Sequence, residues 1–200
     1  MNRAVHPIET QSYRIMREVL DTRRLPRHSR DVVERIVHTT ADPSWHADLV
    51  LDEPALAAGA AALAGGAPLV VDVTMVAAGV TAYPSRCLVK APAAAELAAT
   101  AGLTRSAAAI RLAAEQAPDG AVWAIGNAPT ALYELLALAA AGAVRPALII
   151  GLPVGYVGAA ESKAALRETA LPQLSNVSAR GGSAVAAAAV NALLYGDPLS

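Results

Sequence analysis

Val122-Trp123-Ala124-Ile125-Gly126-Asn127-Ala128-Pro129-Thr130 decides the fold class. Its first four residues are apolar without polar alternation, as a strand covered on both faces requires. The glycine-containing turn that follows opens an alanine-rich helix over Thr130–Ala141. The same pattern recurs on both sides. Leu69–Val73, Cys87–Val89, Leu148–Ile150 and Leu174–Val177 also read as strands, the last interrupted by Ser175 and Asn176. Between and after them, helices are expected near Ala93–Ala99, Arg105–Gln116, Ala159–Thr169 and Ser183–Tyr195. Three of the five runs are continuous aliphatic or β-branched segments. Strand alternating with helix in this way predicts a three-layer α/β/α domain around a five-stranded parallel sheet.

Residues 1–66 read instead as a mainly helical lead-in to the alternating region 67–200. Gln11–Leu20 carries Ile15, Met16, Val19 and Leu20 on one face. Pro26 separates that helix from a second one ending near His38, and Pro54–Leu63 forms a third that stops at Gly65-Gly66. With 200 residues and no internal repeat, the chain is expected to be one domain.

Composition excludes several functions. The net charge is -1 with no long basic run, which argues against a nucleic-acid backbone as partner. The chain is 54% hydrophobic but only 4% aromatic, with no phenylalanine. That suits closely packed helices on a sheet rather than a large aromatic pocket. The single Cys87 cannot form an internal disulfide or a two-cysteine metal site, and is expected to sit inert in a strand. Met1-Asn2-Arg3-Ala4-Val5-His6-Pro7 lacks the apolar core of a signal peptide, and the apolar stretches Leu135–Gly151 and Ala184–Leu194 fail as membrane spans. A cytoplasmic protein that binds neither nucleic acid nor membrane is expected.

Ligands of an open parallel sheet bind beyond the carboxyl ends of its strands. Three glycine-rich turns fall there: Gly126–Thr130, Gly151–Gly158 and Arg180-Gly181-Gly182-Ser183. Each opens a helix, whose free N–H groups attract anions. Read together they suggest a ligand with several separated negative groups; read singly they are tight turns that need glycine regardless. No phosphate-loop, dinucleotide or nucleophile-elbow motif is present. Asp72, inside an apolar strand, reads as structurally paired, with a site role open. His38 ends the amphipathic run Val32–His38, ahead of Pro43. In a last helical turn the dipole favours the imidazolium, and Arg35 shares its face. His38 is therefore either a solvated helix-end histidine or a proton donor beside a fixed cation. A metal shared between His38 and His46 is only weakly suggested, and no metal site is expected.

These segments resemble the precorrin-8X methylmutase family along nearly the whole chain. The resemblance rests on Pro7-Ile8-Glu9 with Ser12-Tyr13, Arg35–His38, Asp72–Val80, Thr104-Arg105-Ser106, Gly126–Leu132, Pro153–Ala159 with Glu161-Ser162-Lys163, Gly181-Gly182-Ser183 and Asn191–Leu194. It implies a flavodoxin-like fold, a homodimer and no added cofactor. The reaction it implies is an isomerisation that moves a methyl group from carbon 11 to carbon 12 of a polycarboxylate corrin precursor, giving hydrogenobyrinic acid. On this resemblance the catalytic histidine is His38, and Ser12 and Arg35 contact substrate. Arg105, Asn127 and Arg180 are further candidates for carboxylate contacts, with surface or capping roles open for each. Tyr13 and Tyr156 stand where the family usually has phenylalanine, and Ser178-Ala179-Arg180 departs from a more basic run. A cobalt-precorrin-8 methylmutase, a non-catalytic tetrapyrrole carrier and a flavodoxin-like flavin module are the competing readings. The missing phosphate loop and scarce aromatics weigh against the flavin module.

Overall fold

A computed structural model describes residues 6–199, so most of the stretch read for a signal peptide, Met1–Val5, lies outside the described residues. The core is a six-stranded sheet in the order β1-β6-β5-β4-β2-β3. The strands are β1 Leu49–Leu51, β2 Leu69–Val71, β3 Ser85–Arg86, β4 Val122–Ile125, β5 Leu148–Gly151 and β6 Gln173–Asn176. All neighbours are parallel except β1, which pairs antiparallel with β6 through Leu49↔Asn176 and Leu51↔Leu174. Counted alone, the parallel strands run second, first, third, fourth, fifth, the flavodoxin-like order. The order reverses at β2, so the crevice beyond β2 and β4 is the switch point.

The apolar runs work as expected. Val122, Trp123, Ala124 and Ile125 are all fully buried, because helices cover both faces. Leu69, Val71, Val122, Ala124, Leu148 and Ile150 pack on one side with α4 (Glu53–Ala64) and α10 (Ser183–Tyr195). Val70, Trp123, Ile125 and Ile149 point to the other, against α7 (Arg105–Gln116), α8 (Pro129–Ala140) and α9 (Ala159–Arg167). Gly59 marks how closely α4 lies on β5: a Cβ there would collide with the Leu148 side chain. On the α4/α10 side, α1 (Pro7–Val19) and α2 (Arg27–Thr40) form a further layer, with α2 packed mainly on α10 and α4.

Four expectations are corrected. The sheet has six strands rather than five, because Leu49–Leu51, too short to show any period, adds an antiparallel edge. The second parallel strand is Ser85–Arg86, not Cys87–Val89. Past Arg86 the chain turns, with the Ala91 N–H donating to the Leu88 carbonyl, to open α6 at Pro92. Cys87 is thus half-buried in a loop. A short helix α5, Thr74–Gly79, follows β2 where no element was expected. Finally, α1 buries Tyr13, Met16 and Leu20, whereas Ile15 and Val19 are 54% and 71% exposed. A further short helix, α3 (Trp45–Asp48), leads into β1.

Candidate active site

The end of α2 is built by its sequence. Ala41 adopts the left-handed conformation that terminates a helix, at φ 53°, and Pro43 prevents continuation. Thr39 and Thr40 donate their hydroxyls back to the carbonyls of Arg35 and Ile36, at 2.7 and 2.8 Å. His38 therefore occupies a fixed last turn. Helix α1 crosses it, and the consecutive pair Ser12-Tyr13 meets the imidazole. Ser12 Oγ lies 2.9 Å from His38 Nδ1. The Tyr13 ring stacks on the imidazole with centroids 4.7 Å apart and planes 29° apart. With Nδ1 engaged, Nε2 has no hydrogen bond to a described residue and is the nitrogen that can meet a ligand.

Arg35, one turn back, is only 7% exposed. Its guanidinium is 3.7 Å from Glu9 and lies between the rings of Tyr13 and Tyr195, 5.9 and 5.8 Å from their centroids. Burial of His38 pulls its pKa below the ordinary value; Glu9 opposes that shift and Arg35 reinforces it. Burial acts against the imidazolium that the helix end was expected to favour.

At the switch point, Asp72 is fully buried. Its carboxylate accepts the backbone N–H groups of Gly126, Asn127 and Ala128 at 3.0, 2.8 and 2.8 Å. These bonds oppose the upward push of burial on its pKa. The protein's own carboxylate therefore fills the anion site expected after the third parallel strand. The other two turns bind each other: Gly155 N–H donates to Ala179, and Gly182 N–H to Leu152. Gly181 is required there because a Cβ would strike the carbonyl oxygens of Leu152 and Pro153. Helices α9 and α10 nevertheless open without a side-chain cap, so their first N–H groups remain for a ligand.

The remaining candidates separate into two places. Arg105 is exposed at the start of α7, and the Asn127 side chain is exposed just before α8. A 2.7 Å contact between the Thr104 and Thr130 hydroxyls ties these two helix ends together. Arg180 is occupied by the protein itself. It contacts Asp42 at 2.6 Å and Asp48 at 3.2 Å, and stacks on Trp45 at 4.4 Å. Beneath it the fully buried Lys163 donates to Asn176 Oδ1, the Ser178 carbonyl and the Arg180 carbonyl at 2.7, 2.5 and 2.6 Å. Burial lowers the Lys163 pKa to about 8, which leaves it charged at neutrality. Lys163 and Glu9 are absent from the site residues the sequence suggested. Lys163 shares a helix face with the apolar Ala159 and Leu166, and that placement is the signal of a buried lysine.

Among the described residues, no three His, Cys, Asp or Glu side chains gather in a way that could hold a metal ion, and no helix is long and apolar enough to cross a membrane.

Comparison with known proteins bears on this geometry. The precorrin-8X methylmutase family model matches residues 7–196. The chain is 42% identical over 194 residues to the precorrin-8X methylmutase of Sinorhizobium sp., covering 93% of this chain and 92% of that one. It is 40% identical over 191 residues to the cobalt-precorrin-8 methylmutase of Methanothermobacter thermautotrophicus, covering 94% of this chain and 92% of the relative. The crystal structure of a precorrin-8X methylmutase from Thermus thermophilus superposes with a TM-score of 0.84 at 34% identity, covering 93% of each chain. With the α1–α2 histidine site and the flavodoxin-like sheet in place, these matches show that the chain belongs to the precorrin-8X methylmutase family.

Proposed function

We propose that this protein is an isomerase that moves a methyl group from carbon 11 to carbon 12 of precorrin-8X, giving hydrogenobyrinic acid. The observation that carries the reading is the Ser12–His38–Tyr13 arrangement, which fixes one imidazole nitrogen and frees the other. His38 Nε2–H donates its proton to a ring nitrogen or neighbouring atom of the macrocycle. The protonated ring lowers the barrier to migration of the methyl group from one ring carbon to its neighbour. The proton then returns to His38, so no atom is gained or lost. Nδ1–H donates to Ser12 Oγ throughout, which holds the ring plane. Arg35 holds a substrate carboxylate, and the neighbouring Tyr13 and Tyr195 rings keep its guanidinium in place. The uncapped starts of α9 and α10, with Arg105 and Asn127, receive further carboxylates. Arg180 serves the site by clamping the turn before α10 to Asp42 and Asp48.

The natural substrate is either the metal-free or the cobalt-bearing macrocycle, since relatives of similar identity carry both names. The protein works as a cytoplasmic homodimer, without an added cofactor. The dimer is supported by the exposed apolar residues Ile8, Ile15 and Val19 along α1, which flank the His38 site. An anaerobic absorbance time course with each macrocycle tests the function. A spectral shift with one substrate that is lost in His38→Ala supports it. Tight binding of both without a shift would favour the carrier, and binding of neither would discard the reading.

A further inference from the structure

The proton-donor role given to His38 runs against burial, the largest influence on the charge of its ring. Burial and Arg35 disfavour the imidazolium, and Glu9 of α1 is the one acidic side chain acting to favour it. The other elements packed on α2 place their charges elsewhere. Tyr195 of α10 faces Arg35, Glu53 of α4 bonds His28 at the opposite end of α2, and Asp48 of α3 pairs with Arg180. His46 of α3 has no ring contact or hydrogen bond to His38 among the described residues.

Besides the Ser12 hydroxyl on Nδ1, the ring has one further contact. The Tyr13 ring lies face-on to the imidazole, 4.7 Å away and 29° from parallel, and is itself 1% exposed. An aromatic face carries negative electrostatic potential and attracts a cation placed over it, more strongly when both are out of water. Tyr13 cannot turn away, because it is packed in the α1/α2/α10 core. Its hydroxyl, although buried, has no hydrogen-bond partner among the described residues, so the ring and not the hydroxyl is the part in use.

We propose that Tyr13 is a positioning residue whose ring face holds the His38 imidazole in plane and stabilises its protonated form, so that the histidine keeps a proton to donate. The inference rests on the methylmutase reading for its purpose, but not for its test.

The test is an NMR titration of His38 in the free protein, assigned among the four histidines with a His38→Gln variant. Tyr13→Phe keeps the ring face and leaves the His38 pKa within a few tenths of a unit. Site-specific pentafluorophenylalanine at position 13 keeps the shape and reverses the ring's polarity. It lowers the pKa by about 0.4–1.5 units, or roughly 3- to 30-fold less imidazolium at neutral pH. Tyr13→Leu lowers it too, and moves the basic limb of kcat/KM by the same amount. An unchanged or raised pKa with the fluorinated ring, in a protein of unaltered melting temperature, overturns the proposal. So does a rate loss in Tyr13→Leu with an unmoved pH profile, which would make Tyr13 a packing residue only. Absence of methyl migration in the unaltered protein would instead count against the reaction and leave the titration result standing.

Discussion

At the residue scale, the account depends on one imidazole with two unlike nitrogens. Nδ1 is tied to Ser12, and Nε2 is open. Replacing His38 by alanine removes the proton donor while leaving the anion contacts in place. We expect kcat to fall on the order of 10²–10⁴-fold with KM little changed, measured by steady-state kinetics. The pH dependence has a definite sign. A donor must be protonated, and the pKa of free His38 lies below its ordinary 6.5. The limb of kcat/KM due to His38 therefore falls as pH rises, with its midpoint below 6.5. A midpoint well above 7 in the free enzyme would mean that Glu9 and the ring stack outweigh burial. That His38 and Arg35 share one face at a helix end was legible from their spacing ahead of Pro43, whereas Ser12 came through the family resemblance alone. The Tyr13 stack was not legible, because stacking between helices is a tertiary fact that spacing along one chain does not carry.

At the element scale, Asp72 decides whether the switch point is intact. It is a carboxyl group on a buried strand end whose three N–H donors all come from one turn 54 to 56 residues away. Asp72→Asn sets an amide donor against those N–H groups, and we expect a loss of about 2–3 kcal/mol in urea unfolding with an unchanged m-value. Less than half a kcal/mol would show that the turn holds itself. The long, strongly patterned elements, β4, β5, α7 and α10, are found where the sequence placed them, within about a residue at each end. The misses are short. β1 has three residues and β3 two, and both exist only because an adjacent strand supplies their ladder. The glycine turns show a different limit. Their glycines were read either as tight turns or as anion sites for a ligand, and the sequence does not reveal that Asp72 and the neighbouring turn approach them.

At the scale of the whole molecule, α1 and α2 bring Ser12, Tyr13, Arg35 and His38 together, and the carboxyl ends of the strands carry the glycine-rich turns. The Arg180–Asp42 and Arg180–Asp48 pairs join the segment after α2 to the turn that opens α10. Ile8, 70% exposed, with Ile15 and Val19 lines α1 beside the histidine, an apolar stripe that single molecules seldom leave in water. We expect light scattering to report a dimer, and the double substitution of Ile15 and Val19 by glutamate to yield monomer with a folded circular-dichroism spectrum. A monomeric unaltered protein would mean that the stripe is covered by something other than a second copy. The flavodoxin-like order puts the switch point at the β2/β4 crevice, where the turn after β4 is filled by Asp72 and holds no phosphate loop.

The central claim is methyl migration, and it is tested most directly by following the labelled carbon. Precorrin-8X carrying ¹³C at the carbon-11 methyl, incubated anaerobically with the protein, should give a product whose labelled methyl resonates at carbon 12, with no label lost to solvent. Recovery of the label unmoved on carbon 11, from a macrocycle shown to be bound, would contradict the account.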